Sequence, residues 1–190
     1  MSATLHTQLT CRSSSMMTVE VIGVMHMRNQ TERRFRVDLD HETRYRFRTQ
    51  ASEDGAIHGA AFWSDEPDPV GDASAPATPA LLGAAVGHCL SASLLEALRH
   101  AHVDVGSCAT EVVSVVAPNS EGRPRIDHID VVIRPAVGGE SMATRRCEDV
   151  FERYCTVTAS VRDGVKVNVR VEWQTPAVGD GALASGAATA

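Results

Sequence analysis

The stretch Thr78-Pro-Ala-Leu-Leu-Gly-Ala-Ala-Val-Gly-His-Cys-Leu-Ser-Ala-Ser-Leu-Leu-Glu-Ala-Leu98 constrains the fold more than any other part of the chain, because it is long, almost uncharged and without strand-like alternation. It reads as a helix with Thr78 as N-cap and Pro79 at the first helical position, where the missing N–H would have had no partner. Arg99 and His100 follow at the end where positive charge suits the helix dipole. Nearly every residue between is apolar or small, which predicts a helix buried all round and not along a single stripe. Gly83, Ala84, Ala85, Gly87, Ser91, Ala92 and Ser93 leave little side-chain bulk, so other backbones can come close, and the tightest approach is expected at Cys89. Polar His88, Ser91, Ser93 and Glu96 interrupt the run, so by sequence no apolar stretch reaches the roughly 18 residues of a membrane span.

A chain of 190 residues with 43% hydrophobic content can bury a core of its own as one domain with tails. Its formal net charge of −6 argues against non-specific binding to nucleic acid or to an anionic membrane. The N-terminus lacks the basic-then-apolar order of a signal peptide, so a cytoplasmic location is expected. The five cysteines (Cys11, Cys89, Cys108, Cys147 and Cys155) are odd in number and contain no CxxC pair, which fits neither a disulfide scaffold nor a structural zinc site. In a cytosolic chain, paired cysteines that matter are more often redox-active than structural. His100, His102 and His128 lack the local spacing of a metal site, and no metal or bound cofactor is expected.

Taken in order, residues 1–17 are polar and serine-rich and are expected to be a disordered extension, and Val19 to Val24 reads as a strand. Phe35, Val37 and Leu39 alternate with Arg34, Arg36, Asp38 and Asp40. After a turn expected at Asp40-His41-Glu42, Arg44-Tyr-Arg-Phe-Arg48 alternates again, giving an antiparallel hairpin with one apolar and one arginine-rich face. Residues 49–77, rich in glycine and proline, read as a long loop with one short strand near Ile57–Trp63. Beyond the helix, a turn at residues 102–106 leads to strands at Glu111–Ala117 and Ile126–Ile133, the second closed by Pro135. A second helix is expected from about Ser141 to Tyr154, with Cys147 in its core-facing stripe. Val157–Val161 alternates before Asp163-Gly164, so local rules favour a tight hairpin onto Val165–Trp173, with a short helix as the other reading. Residues 175–190 are a Gly/Ala-rich tail, expected to be disordered. The order of strands, helix, strands, helix and strand is that of an α+β chain.

Two contexts then stand out: Leu81-Leu-Gly-Ala-Ala-Val-Gly-His-Cys89-Leu-Ser-Ala-Ser-Leu-Leu and Tyr154-Cys155-Thr-Val-Thr. Together with the strand order around them, over roughly residues 19–174, they resemble the OsmC/Ohr family of osmotically inducible and organic-hydroperoxide-resistance proteins. The resemblance implies antiparallel sheets wrapped around long central helices in an intertwined homodimer. It also implies a thiol-dependent peroxidase. Cys89, as thiolate, would attack the O–O bond of an organic hydroperoxide, and Cys155 would resolve the sulfenic acid as a disulfide. An external dithiol, a protein or a lipoyl-type reductant, would then reduce that disulfide. Burial raises a cysteine pKa, so a cation must favour the thiolate. The family takes it from an arginine of the N-terminal β region held by a glutamate near the start of the central helix. Arg46 or Arg48 is the candidate here, with Arg44 on the same strand face. The chain departs from the pattern at Thr78-Pro79-Ala80, which has no carboxylate, while Glu96 lies seven residues after Cys89 on the same helix face.

Each of these residues also has a plainer reading. Cys89 and Cys155 can be small core hydrophobes, Cys147 is core, and Cys108 and Cys11 are incidental. The arginines can be the wet face of a strand, and His88, rotated about 100° from Cys89, fits a packed or dimer-facing role better than that of a base. Two functions from different classes remain. One is the hydroperoxide reductase. The other is a non-catalytic domain of the same fold that binds a small apolar ligand or a protein partner. Which residue pairs with Cys89, and whether the two cysteines lie within the ~7 Å between Cα atoms that a disulfide needs, are matters for the structure.

Overall fold

A computed structural model describes residues 32–176. The expected N-terminal extension, the strand at Val19–Val24 and most of the C-terminal tail lie outside the described residues. The elements run β1 (Phe35–Thr43), β2 (Arg46–Glu53), β3 (Ala56–Ile57), β4 (Phe62–Ser64), α1 (Thr78–His100), β5 (Val105–Pro118), β6 (Pro124–Val137), α2 (Met142–Val150), a 3-10 turn (Phe151–Tyr154), α3 (Thr156–Val161) and β7 (Lys166–Val171). One sheet has the order β1-β2-β3 with β4 also on β2, and the other has the order β5-β6-β7. The α+β class expected from the sequence is observed.

By internal contacts the chain falls into two units. The first holds the described residues up to Leu39 together with Thr49–Ala61. Here Ser52 pairs with Ile57 and Glu53 with Ala56, closing a short β2–β3 turn. Phe35, Val37 and Leu39 form the expected apolar row, but they are 66%, 52% and 57% exposed in the single chain.

The second unit holds Asp40–Arg48 and everything from Phe62 onward. Its hairpin turn lies at Arg44-Tyr45, not at Asp40-His41-Glu42 as the sequence suggested. The polar residues stay in the strand because an exposed strand does not penalise them. Arg44 takes the left-handed conformation (φ 48°), and His41 Nε2 closes on the Arg44 carbonyl at 3.0 Å.

The helix α1 ends at His100, with Arg99 and His100 in its last turn as the sequence suggests. Its N-cap is Ala77, which has no side-chain cap, so Thr78 is the first helical residue and not the cap. Nor is it buried all round. Gly83, Val86, Gly87, Leu90, Leu94 and Leu98 form a stripe at helical spacing, while Ala84, Ala85, His88, Ala92 and Leu95 are exposed. A close approach of the sheet is seen at two of the glycines. A Cβ on Gly87 would stand 2.5 Å from Val112 Cγ2, and one on Gly83 would stand 2.6 Å from Ser114 Oγ. These two glycines let α1 settle onto β5. With 23 residues and a mean hydropathy of 1.5 over its most apolar stretch, α1 has the length and composition of a span, which the sequence reading denied. In this fold its stripe covers a core.

That core joins Val86, Leu90, Leu94 and Leu98 of α1 to Ile129, Val131 and Ile133 of β6, Phe151 and Cys155. Each fully buried leucine contributes about 2 kcal/mol of transfer free energy. β6 alternates buried Ile129, Val131 and Ile133 with Asp130, Val132 and Arg134, and it runs through Pro135 to Val137, so Pro135 does not close it. Pro135 pairs with Cys108 beside an irregularity in the β5–β6 register, the kind of place where a strand tolerates a missing N–H. On the other face Arg134 bridges Glu111 (3.0 Å) and Glu172 (2.8 Å).

After β6, Ser141 caps α2 through a reciprocal pair with Thr144. The segment Val157–Val161, which local rules favoured as a strand, is the short helix α3. β7 consequently lies parallel to β6, with Ile129 opposite Val167 and Val131 opposite Val169. A parallel neighbour requires a crossover, and α2, the 3-10 turn and α3 supply it, so the tight hairpin is excluded.

Candidate active site

The two sequence-selected cysteines meet at the edge of this core. Cys89 sits at the middle of α1, half-buried, on the flank that packs against the cluster containing Cys155. Cys155 is fully buried where the 3-10 turn gives way to α3. Buried Phe151 anchors that turn. The extended backbone of Cys155 (φ −80°, ψ 99°) ends one helical segment and starts the next, so its side chain occupies the N-cap position of α3. A serine or aspartate there would cap the helix through oxygen. The sulfur makes no full cap hydrogen bond, but the Thr158 amide lies close enough to favour its thiolate. The Cys155 thiol donates to Thr158 Oγ1 at 3.0 Å, and Thr158 is itself completely buried.

Burial is the largest influence on Cys155, and the adjacent Cys89 thiol adds to it. The Thr158 hydroxyl and amide act in the opposite direction, and the result is a pKa above the ordinary 9.0. Cys155 is therefore a protonated thiol near neutral pH, with Cys89 beside it. Both are free thiols in this structure. Cys147, buried in α2, is also pushed up by burial; Cys108 is pushed up more by burial than its Thr110 hydrogen bond pulls it down.

The arginines are placed differently. Arg46 Nε lies 3.2 Å from Glu42 Oε2, without hydrogen-bond geometry, and its guanidinium stacks 4.4 Å over the Trp63 ring. Arg48 is exposed. Arg44 donates to Asp72 at 2.8 Å and to the carbonyls of Pro69 and Val70 at 3.1 Å, which ties the hairpin tip to the loop before α1. Among the described residues none of the three forms a hydrogen bond or ion pair with Cys89. Glu96 is held by Arg99 at 2.8 and 2.7 Å and by His100 at 3.1 Å, and the Arg99 hydrogen bond draws its carboxyl down to about 2.

Buried polar chemistry also lies at the start of α1, away from the two cysteines. Asp65 is buried in the loop before α1. Its carboxylate accepts from the amides of Glu66 (2.8 Å), Asp72 (3.2 Å) and Ser74 (3.1 Å) and from the Ser74 hydroxyl (2.8 Å). The Ser74 bonds above all lower its pKa. Glu66 Oε1 stands 3.5 Å from Thr78 Oγ1, so a carboxylate reaches the start of α1 from the preceding loop. Thr158 could have been found from its spacing, since the third residue after an N-cap is where capping partners sit. An open apolar groove of about 440 Å³ under the first turns of α1 is lined by Pro79, Leu82, Val116, Pro124 and Ile126 with one cation, Arg125. Leu82 is seven residues before Cys89, on the same helix face.

The sequence matches the family described as OsmC-like protein over residues 71–170. The chain belongs to the OsmC-like family. Cys89, Cys155 and Thr158 lie within the matched region of this OsmC-like protein, and Arg46 and Arg48 lie before it. Among solved structures, an OsmC-like protein from Mycoplasma pneumoniae superposes with a TM-score of 0.59 at 13% identity, covering 76% of this chain and 99% of that one. An OsmC-like protein of unknown function from Vibrio cholerae gives 0.58 at 15% identity, covering 75% and 100%. The organic hydroperoxide resistance protein OhrB of Bacillus subtilis gives 0.54 at 13%, covering 73% and 98%. At these identities the likeness establishes the fold. No curated protein matches the chain.

Proposed function

We propose that this OsmC-like protein is a thiol-dependent peroxidase that reduces organic hydroperoxides through Cys89 and Cys155 and works as a homodimer. The observation that carries the reading is the meeting of the Cys89 and Cys155 thiols in a family-matched region, one half-buried and one wholly buried. The Cys89 thiolate attacks the O–O bond, the alkoxide leaves as alcohol after taking a proton, and Cys89 becomes a sulfenic acid. The Cys155 thiol then displaces the sulfenic oxygen as water, forming the Cys89–Cys155 disulfide. An external dithiol reduces it by exchange. A raised Cys155 pKa suits this division of labour, because the residue stays protonated while the other attacks. The apolar groove on the Cys89 face of α1 offers room for the organic part of the substrate.

Two features support the dimer: the exposed apolar row Phe35, Val37 and Leu39, and the exposed small-residue face of α1 at Ala84, Ala85, His88 and Ala92. In that assembly Arg46 or Arg48 is the cation for the Cys89 thiolate. A non-catalytic, ligand-binding domain is the second reading, favoured by the engagement of Arg46 with Glu42 and Trp63. Hydroperoxide consumption with a dithiol reductant decides between them. Turnover by wild type that is lost in Cys89→Ser supports the peroxidase, and absence of turnover by the wild-type protein favours the binding domain.

A further inference from the structure

Resting on the two-cysteine reading above, we propose that Thr158 stabilises Cys155 as the departing thiolate when the disulfide is reduced, so that the reductant attacks at Cys89. Two independent observations converge on this direction of opening. The first is access: Cys155 is fully buried, whereas Cys89 is half-buried, so of the two residues Cys89 is the one open to an incoming thiolate. The second is the leaving group. Thr158 Oγ1 lies 3.0 Å from Cys155 Sγ in a completely buried position, and among the described residues it has no other hydrogen-bond partner.

In the dithiol state Cys155 donates to that hydroxyl. When the sulfur carries a negative charge the hydroxyl hydrogen can turn to donate to it, and the Thr158 amide is near enough to favour the charge as well. A buried anion needs such donors, since solvent cannot supply them. The exchange step balances as follows: the reductant thiolate forms a bond to Cys89 Sγ, the Cys89–Cys155 bond breaks, and the electron pair leaves on Cys155 Sγ. The second thiol of the dithiol then attacks its own sulfur in the mixed disulfide, freeing Cys89. The two electrons come from the dithiol. Thiol–disulfide exchange speeds up as the leaving thiolate becomes more stable, so the hydroxyl controls the rate of this first step.

The test makes the disulfide with diamide, which does not depend on peroxidase activity, and then opens it with glutathione as a monothiol. Peptide mass mapping is expected to find the glutathione adduct on Cys89. Thr158→Val is expected to slow adduct formation about tenfold, and Thr158→Ser to restore it to within about twofold of wild type. A structural role for Thr158 would not produce that rescue by the hydroxyl. An adduct on Cys155, or equal rates for wild type and Thr158→Val, overturns the proposal. Mapping on the wild-type chain keeps it testable even if a variant does not fold. A disulfide that forms with diamide but not with hydroperoxide removes the peroxidase reading, and the exchange results then decide this proposal by themselves. If diamide forms no Cys89–Cys155 disulfide, both fall.

Discussion

Replacing Gly87 by alanine sets two opposed effects against each other at the closest contact between α1 and β5. Alanine in place of glycine inside a helix is worth about 1 kcal/mol of stability through backbone entropy. The added Cβ, however, would stand 2.5 Å from Val112 Cγ2 and 3.6 Å from Thr110 Cγ2. Ordinary contact begins near 3.4 Å, so valine or strand must yield by about 0.9 Å. Valine is stiff about χ1, and its methyl cannot swing away without reaching another crowded rotamer. Overpacking of this kind costs about 1–3 kcal/mol. The net expectation is a loss of about 1 kcal/mol, which for a chain of this size lowers Tm by about 2–4 °C. Gly83→Ala is the matched control. Its Cβ would meet Ser114 Oγ at 2.6 Å, but that hydroxyl has no hydrogen-bond partner and can rotate away without losing one. Val112 Cγ1 at 3.2 Å is then the remaining close neighbour, so Gly83→Ala should be as stable as wild type or slightly more so. Thermal and urea unfolding at one fixed protein concentration measures both, since oligomerisation makes Tm depend on concentration. If Gly87→Ala is as stable as Gly83→Ala, the glycines do not set the α1–β5 approach.

Three further outcomes follow from named contacts. Asp65→Ala removes the acceptor for three amides and one hydroxyl, and should lower Tm and open residues 65–74 to limited proteolysis. The Glu96 carboxyl is drawn from its ordinary 4.5 down to about 2, chiefly by its hydrogen bond to Arg99. Its contribution is thus complete above about pH 4.5 and is lost as pH falls through 2. Glu96→Gln should flatten that part of an acid-unfolding curve by no more than about 1 kcal/mol, because the pair is exposed. Leu39→Glu places a charge in the exposed apolar row and should convert a dimer to monomer in sedimentation velocity, whereas an unchanged dimer would show that the row is not in the interface.

The elements most visible in the sequence are those whose local chemistry agrees with their tertiary role. α1 and its leucine stripe, the β-branched β5 and β6, and the family resemblance around Cys89 and Cys155 all belong to this class. The sequence alone overstates the burial of α1, because alanine and glycine look alike on a covered face and on an open one. Only the sheet decides which of Gly83, Ala84, Ala85 and Gly87 it touches. A tight hairpin from Val157–Val161 onto Val165–Trp173 does not form, because the two-residue turn signal at Asp163-Gly164 is local. The position beside β6 is filled by a parallel strand, and the crossover it requires makes a helix of Thr156–Val161. In the site, the contact between Cys89 and Cys155 spans two elements far apart in sequence and could be expected only from the resemblance. Asp65 and Thr158 owe their importance to burial, which their spacing hints at but does not establish. The strand pattern shows the face on which Arg46 lies but not its ring partner, Trp63, which comes from a different strand.

The central claim is that Cys89 and Cys155 form one redox pair. The most direct measurement treats the reduced, folded protein with one equivalent of an organic hydroperoxide, blocks the remaining thiols by alkylation, and maps the peptides by mass. The account predicts a Cys89–Cys155 disulfide with Cys108 and Cys147 alkylated, and in Cys155→Ser a sulfenic acid on Cys89 that dimedone captures. Recovery of Cys89 and Cys155 as alkylated free thiols would contradict it.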